Sequence, residues 1–416
     1  MKIPHILCLL FLWSFSVFSQ NLDSQLDNLQ SQLSQAQAQV QNIESQIEQV
    51  KFQQIQHDLQ AVGLPLLPNE NLIQHSAMAL VYSEAHEQAK WVAHIITPDI
   101  MQGQAHRSND FRPDPKVATG TAVEADYFLK YLQADSTYKY DGFGFDRGHL
   151  APSADFRWSA KALSESYFYS NIAPQREAFN RAIWASLESN LRAYIYRNPN
   201  TQLIILTGAV LKPDLPTIDR SINKPSIPKL FWKVALDLKN QKAIGFILPN
   251  KQLDYPLESF AVSIDKVEAE TDLDFFHLLP DMQENNIEAQ IDKAHWFPEV
   301  AAGDVEPLYP PSLPQYHFNT VQAKNKIGQK VTVCGKVVSS KRPRSGNILM
   351  NLDKQFPNQI FTLFIRKEDI INFPYQPDKY FINQVVCAKG NVFKIGATPT
   401  MSVEKAESLY FYTAND

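Results

Sequence analysis

Apolar residues recur at alternating steps of four and three along the N-terminal part of the chain. The repeat consists of Leu22, Leu26, Leu29, Leu33, Ala36, Val40, Ile43, Ile47 and Val50. This spacing forms a heptad seam over about four heptads. It predicts a coiled-coil helix over residues 20–62 that assembles a small homo-oligomer. The alternative is a single amphipathic helix docked on the main domain, and the mixed seam does not choose between dimer and trimer.

The pattern changes after Gly63-Leu64-Pro65, which ends the helix. The strand candidates that follow cover residues 78–82, 91–96, 203–207, 231–238 and 243–248, the last two forming a hairpin. Helix candidates cover residues 159–169 and 180–194. Because strands and helices do not alternate regularly, we predict an α+β domain over residues 63–306 rather than a doubly wound sheet.

The last hundred residues have a different, all-β pattern. A linker over residues 307–315 is predicted from Pro307, Pro310, Pro311 and Pro314. Short strand candidates follow at residues 331–338, 348–352, 360–365, 385–388 and 399–403. Five strands in this length predict a small β-barrel over residues 316–416, with an OB-fold as the first choice. Its expected core includes Phe356, Phe361, Phe364 and Phe393.

The first residues have the pattern of an export signal. Lys2 precedes an apolar run over residues 6–18, and Ser19 precedes a cleavage point before Gln20. We expect residues 1–19 to be a signal peptide and the protein to be periplasmic or secreted. The apolar run is short for a membrane span, so no stable span is expected after signal removal. An uncleaved anchor is the alternative.

The formal net charge of −5 excludes a generally basic nucleic-acid coat. Charge is nevertheless uneven, because residues 309–416 carry about +7 and the rest of the chain about −12. The C-terminal part is therefore expected to be a separate domain with an anionic partner. If the signal is removed, Cys334 and Cys387 remain, and an exported protein can pair them. Spacing alone leaves that disulfide open.

The strongest candidate for chemistry is Asp146-Arg147-Gly148-His149, expected to form a tight turn. A guanidinium next to an imidazole favours the neutral form of the histidine, as a general base requires. Arginine also attracts phosphate. A structural histidine remains the alternative at this point.

A second candidate lies on the predicted helix that begins near residue 180. Successive steps of four place Asn180, Trp184, Glu188 and Arg192 on one stripe. An amide, an indole, a carboxylate and a guanidinium do not make a purely apolar face. The plain interpretation is a capped helix, with Asn180 as N-cap, Trp184 in the core and an ion pair at Glu188–Arg192.

These residues, with their neighbours, resemble the DNA/RNA non-specific endonucleases, which include endonuclease G and secreted bacterial nucleases. The similarity rests on residues 145–152, 170–175, 179–184 and 187–188, and it covers roughly residues 64–300. It implies a ββα-metal core with mixed sheets and a metal-dependent phosphodiester hydrolase that cuts DNA and RNA. The implied cofactor is Mg²⁺, with Mn²⁺ as an alternative.

The resemblance implies a role for each matching residue. His149 resembles the general base, and Asn180 resembles the direct protein ligand of the metal. Glu188 resembles the residue that orients metal-bound water. Arg147 and Arg107 resemble the arginines that stabilise the phosphorane, although the neighbouring Arg112 is an alternative to Arg107. Arg192 is expected to support Glu188 or to bind phosphate, and Asp146 to accept structural hydrogen bonds.

The implied mechanism is in-line attack on phosphorus by water that neutral His149 deprotonates, without base recognition. In the C-terminal barrel, Lys341, Arg342 and Arg344 form a basic loop between the first two strands. This loop is either an accessory nucleic-acid grip or a solvated turn. Two other functions compete: a phosphodiesterase for a small or lipid-linked phosphate, and a non-catalytic nucleic-acid-binding scaffold.

Overall fold

A computed structural model describes residues 6–101, 103–298, 303–308, 310–356, 358–396 and 398–413. Side chains are described from residue 24 onward, apart from Pro311. The chain divides into two compact units, residues 1–54 and 55–416. Lys2 lies outside the described residues, and so do the side chains of the expected signal segment. Within the described residues, no helix is both long enough and apolar enough to cross a membrane.

The N-terminal segment is one long helix, α1 (Ile6–Ala61), which extends on the N-terminal side beyond the predicted start at residue 20. The heptad positions Leu26, Leu33, Ile43 and Val50 each leave at least half of their surface exposed. An exposed apolar seam is what a coiled coil would bury in its partner. The structure thus contains the predicted helix. Its association into a coiled coil stays a prediction.

The second unit begins with the last residues of α1 and continues with strands, turns and short helices up to residue 296. Its strands are β1 (Leu72–Gln74), β2 (Met78–Ser83), β3 (Gln88–Ile96), β4 (Phe128–Leu132), β5 (Tyr138–Gly142), β6 (Asp146–His149), β7 (Ile172–Gln175), β8 (Leu203–Ala209), β9 (Leu230–Asp237), β10 (Lys242–Pro249) and β11 (Ala261–Val262). Its helices are α2 (Ala160–Glu165), α3 (Ala185–Arg197), α4 (Ile264–Thr271), α5 (Asp281–Glu288) and α6 (Lys293–Trp296).

Seven of these strands form one sheet in the order β1-β2-β3-β8-β9-β10-β11, and every neighbouring pair is antiparallel. Strands β3, β8 and β9 are buried along both faces because other parts of the fold cover both faces of the sheet. Helix α4 packs on β9 and β10, α5 packs on β10, and β7 packs on β3. The predicted α+β class is confirmed, and the five predicted strands lie at β2, β3, β8, β9 and β10.

Two short antiparallel pairs outside this sheet are absent from the sequence prediction. Strand β4 pairs with β5, and β6 pairs with β7. The predicted turn at residues 146–149 is therefore wrong, because this segment is strand β6. The predicted helix over residues 159–169 is also too long. It ends at Glu165 as α2, and a 3₁₀ turn follows at Tyr169–Asn171.

The C-terminal part contains β12 (His317–Asn319), β13 (Lys330–Lys341), β14 (Ile348–Leu352), β15 (Phe361–Ile365), α7 (Pro377–Tyr380), β16 (Val385–Ile395), β17 (Thr398–Ser402) and β18 (Leu409–Phe411). Strand pairing runs from β13 through β14, β15, β17 and β16, and β16 pairs back with β13. The five pairings close into a ring. Phe361 is buried inside it, but Phe356 is 77% exposed, so its expected core position is wrong.

Cys334 and Cys387 form a disulfide between β13 and β16, where they are direct partners across the two strands. Leu313 is buried against this disulfide, and Leu308 packs beside it. Part of the proline-rich segment predicted as a linker therefore packs on the C-terminal strands. Gln322 also donates to the backbone oxygen of Met101 at 2.6 Å, which joins the C-terminal part to the preceding part of the same unit.

Candidate active site

Strand β6 carries the Asp-Arg-Gly-His motif beside β7, with Gly148 opposite Ala173. A Cβ at Gly148 would lie 2.2 Å from Cδ of Gln175, so the position needs glycine for close packing. The loop after His149 is held by Asn171, whose side chain exchanges two 2.9 Å hydrogen bonds with the backbone of Ala151. The motif is thus a strand fixed on two sides.

Side chains alternate along a strand, so Arg147 and His149 share one face of β6. Both contact the ring of Phe111: the Arg147 guanidinium lies 3.8 Å from its centroid and the imidazole centroid 5.5 Å. Tyr167 packs edge-on against His149 at 4.9 Å. The imidazole is half-buried, and its Nε2 is screened from solvent without a hydrogen-bond partner among the described residues.

Asn180 lies in a π-helical turn, Phe179–Trp184, that leads into α3. Such turns are rare and occur frequently at functional sites. The Nδ2 of Asn180 donates to Oδ2 of Asp146 at 2.9 Å. Arg181 donates to both oxygens of Asp146, at 2.9 and 3.0 Å. Asn180 is therefore not the helix N-cap, and Asp146 accepts structural hydrogen bonds.

The predicted stripe along this helix is only partly correct. Trp184 is buried against Phe179 and Phe231 and does not face the cavity described below. The wider π turn interrupts the spacing of four that predicts the stripe. Ala185 takes the intervening place, and Glu188 and Arg192 follow it along the cavity wall.

A buried ionic network lies behind this helix. Asp155 accepts from Arg192 at 2.7 Å and lies 2.9 Å from Nε2 of His94. Burial opposes ionisation of Asp155, but Arg192 and His94 lower its pKa overall. Lys233 donates to Thr207 at 2.6 Å and lies close enough to Glu188 to interact with it electrostatically. Arg192 is 2% exposed, which favours its supporting role over phosphate contact.

One cavity of about 540 Å³ brings the predicted residues together. Its lining includes His149, Arg147, Arg107, Asn180, Glu188 and Arg192. Arg112 does not line it; this guanidinium bonds to Asp110 and Ser164 and stacks on Phe168. Of the two upstream arginines that the sequence offers, Arg107 is therefore the one beside His149.

The electrostatics of the cavity keep His149 neutral. Burial, with Arg107 and Arg147, lowers its pKa from 6.5 to about 3. The pKa of Glu188 shifts in the other direction: burial raises it, and the positive charges of Arg192 and Lys233 limit the rise. A neutral imidazole, positive guanidinium groups and oxygen donors thus converge on one volume. This combination can position a phosphate and accept a proton from water.

Other residues of the cavity had no role in the sequence interpretation. They include His106, Asn109, Arg157 and Arg181. Arg181 follows Asn180 directly, and this adjacency is the sequence feature from which its place in the cavity could have been predicted. Lys341, Arg342 and Arg344 are elsewhere: all three are exposed, and Lys341 lines a separate groove of about 510 Å³ on the C-terminal strands.

Comparison with known proteins agrees with this geometry. Residues 55–282 match the family described as DNA/RNA non-specific endonuclease. The chain is similar to human mitochondrial endonuclease G, with 31% identity over 237 residues that cover 52% of this chain and 73% of that protein. A nuclease from a Nostoc species is 27% identical over 244 residues, covering 55% and 81%.

A solved structure is also similar. One chain of a crystal structure of the EndoG/EndoGI complex has 25% identity and a TM-score of 0.45, covering 55% of this chain and 94% of that chain. The family match extends over more than half of the sequence, and its residues include every residue of the cavity that contains His149. The chain belongs to the DNA/RNA non-specific endonuclease family and is a nuclease.

Proposed function

We propose that this nuclease hydrolyses phosphodiester bonds of both DNA and RNA without sequence preference, with His149 as general base. The observation that carries the proposal is the convergence of His149, Arg107 and Asn180 in one cavity. These three residue types are suited to proton acceptance, phosphate attraction and cation binding respectively.

The side chains themselves suggest the order of events. Arg107 and Arg147 bind the phosphate and, with burial, keep His149 unprotonated. The neutral imidazole of His149, which lines the cavity, then accepts a proton from the attacking water. Glu188, which lines the same cavity, orients water by hydrogen bonding. Arg192 supports the site indirectly, because its hydrogen bond to Asp155 fixes α3 against the residues behind the cavity.

The residues of the cavity suit a hard divalent cation, for which we propose Mg²⁺, with Mn²⁺ as the alternative. Asn180 directs Nδ2 to Asp146, so its Oδ1 lies on the opposite side of the amide. Amide and carboxylate oxygens are the donors that Mg²⁺ prefers. When bound, such a cation stabilises negative charge on phosphate oxygens. Asn180 would hold it, and Glu188 would orient its water shell.

Lack of sequence preference is consistent with the charged groups of the cavity. Arg107, Arg147 and Arg181 are suited to phosphate oxygens, which carry no base information directly. A second cavity of about 450 Å³ shares Asn109 and Arg147 with the first and continues towards Lys130 on the β4–β5 hairpin. Together they form a path along which a strand could run.

The direct test is a substrate panel with the full chain. Supercoiled plasmid, single-stranded DNA, RNA and a small aryl phosphodiester are each incubated with Mg²⁺ or with EDTA. Cleavage of all three polymers in Mg²⁺ only is the expected result. Hydrolysis of the small ester alone would instead support the alternative phosphodiesterase, and binding without any cleavage would support the scaffold.

We propose that α1 forms an oligomer through its heptad seam. Support comes from the exposed apolar side chains of that seam, including Leu33 and Val40. Light scattering should give the full chain a multiple of its own mass. Leu33→Glu with Val40→Glu should yield monomer, whereas Ser31→Glu with Ala38→Glu, which adds the same charge off the seam, should not.

We also propose that residues 316–416 are an OB-fold-like barrel that grips nucleic acid. The closed ring of β13–β17 supports this fold, and exposed Lys341, Arg342 and Arg344 support the grip. Replacing the three by Ala should raise KM for long DNA and leave the small ester unaffected. Lys405→Ala is the matched control, and an unchanged KM would rule out the grip.

For location, we propose export to the periplasm or the outside of the cell. The basic start followed by an apolar run supports this proposal. A reporter fused after residue 60 should be found outside the cytoplasm. Introducing charged residues into the apolar run at residues 6–18 should keep the reporter inside the cytoplasm.

A further inference from the structure

Three acidic side chains from two helices meet away from the catalytic cavity. Asp265 and Glu268 are one turn apart on α4, and Glu288 is the last residue of α5. One carboxylate oxygen from each lies within 4.8 Å of the others. None of the three lines the cavity that contains His149. A cluster of this kind can be a repulsive surface or a site, and the distinction depends on burial and partners.

Glu288 provides the independent observation. It is only 6% exposed, and its Oε1 is screened from solvent with no hydrogen-bond partner among the described residues. Leaving a buried carboxylate oxygen unpaired is costly, so buried acids are usually paired or bind metal. The carboxylate of Glu288 instead lies beside those of Asp265 and Glu268.

The charged groups around Glu288 also favour a metal site over an ion pair. The strongest charges acting on Glu288, led by those of Glu268 and Glu284, are also acids. The nearby Lys266 bonds to Glu270 on the outer side of α4. Glu268 accepts from the backbone of Phe275 at 2.8 Å, which fixes its carboxylate relative to the loop between the helices.

We propose that Asp265, Glu268 and Glu288 bind one calcium ion that joins α5 to α4. Two oxygens on opposite sides of Ca²⁺ are about 5 Å apart, and the three oxygens lie within that span. Mg²⁺ retains several waters and is usually held by only one or two carboxylates, whereas this cluster offers three. Since α4 and α5 pack on β10, the ion stabilises the helical layer on that side of the sheet.

Thermal unfolding of the full chain tests the site without using activity. Calcium at a hundredfold excess over its dissociation constant should raise Tm by roughly 3–5 °C relative to EDTA. Glu288→Gln should abolish the calcium-dependent rise, and so should Asp265→Asn, which changes an exposed residue and should fold. Glu270→Gln on the same helix and Asn180→Ala in the catalytic cavity should both retain the rise.

The response to the ion is compared rather than the starting Tm, because removing an acid also relieves repulsion. Absence of a calcium response in the unaltered protein would overturn the proposal, as would an undiminished response in both acidic-cluster variants. An equal response to magnesium would overturn the choice of calcium. Loss of the response in Asn180→Ala alone would assign it to the catalytic cavity.

Discussion

The amide of Asn180 is oriented by Asp146, whose Oδ2 accepts from Nδ2 at 2.9 Å across 34 residues of sequence. Arg181 holds the same carboxylate with two further hydrogen bonds. The Asp-Arg-Gly-His motif therefore supplies both the candidate base and the group that orients the candidate metal ligand. This gives the acidic residue of the motif an orienting role although it is not the proposed ligand.

Asp146→Ala should weaken the response to Mg²⁺. Without its acceptor, Asn180 loses the fixed direction of Oδ1, and loss of such outer partners typically costs about 10–100-fold in metal affinity or activity. The measurement is the Mg²⁺ titration of plasmid cleavage. Glu177→Ala removes another partner of Arg181 without touching Asn180 and serves as control. An unchanged half-saturating Mg²⁺ concentration would contradict the orienting role.

The pH profile should report the lowered pKa of His149. Because the imidazole stays neutral far below 6.5, kcat/KM should not fall with ordinary histidine titration. Folded His149 binds fewer protons than unfolded histidine does. Its stability contribution is therefore present above 6.5 and is lost as pH falls towards about 3. Circular dichroism must accompany the kinetics to separate unfolding from titration.

Arg107→Gln should move the acid limb of that profile to higher pH, in addition to lowering activity. Removing a positive charge beside His149 makes protonation easier, so its pKa rises. Arg112→Gln should not move the limb, because Arg112 lies outside the cavity. A limb that stays in place in Arg107→Gln would show that Arg107 does not act on the base.

Gly148→Ala should lower both Tm and activity. The new methyl group would overlap Gln175, and overpacking of this kind typically costs about 1–3 kcal/mol. The double variant with Gln175→Ala should recover part of both losses, since it removes the overlapping atoms. If Gly148→Ala behaves like the unaltered protein, the close approach of β6 and β7 is not needed.

Arg192→Leu should destabilise the protein rather than simply raise KM. It leaves Asp155 buried without its 2.7 Å partner, and breaking a buried pair typically costs about 3–5 kcal/mol. Urea unfolding should report the loss. Normal stability with a raised KM would instead favour direct phosphate binding by Arg192.

Much of this architecture could be predicted because local pattern determines it. The five predicted strands of the central sheet are largely apolar runs, and the five strands of the C-terminal ring are separated by clear turn residues. The β4–β5 hairpin could not be predicted because its strands are largely exposed and polar. The short strand at Asp146–His149 could not be predicted from its own composition, because its extended conformation depends on pairing with β7.

Within the site, residue identity was more predictable than geometry. The motifs identify His149, Asn180 and Glu188, and the cavity unites them. The plain interpretation places Trp184 in the core, where it lies, but the π turn that shifts the helix register and brings Ala185 to the cavity wall could not be predicted from the spacing. Arg157 and Arg181 reach the cavity through tertiary folding. The disulfide likewise depends on strand register that spacing alone cannot determine.

The central claim is that His149, and not the other histidine of the cavity, is the general base. The most direct measurement compares plasmid cleavage rates of His149→Ala and His106→Ala under identical Mg²⁺, after circular dichroism shows both to be folded. His149→Ala should lose about 10²–10⁴-fold, and His106→Ala should retain most of its activity. Near-normal cleavage by folded His149→Ala, or the reverse order of the two variants, would contradict the account.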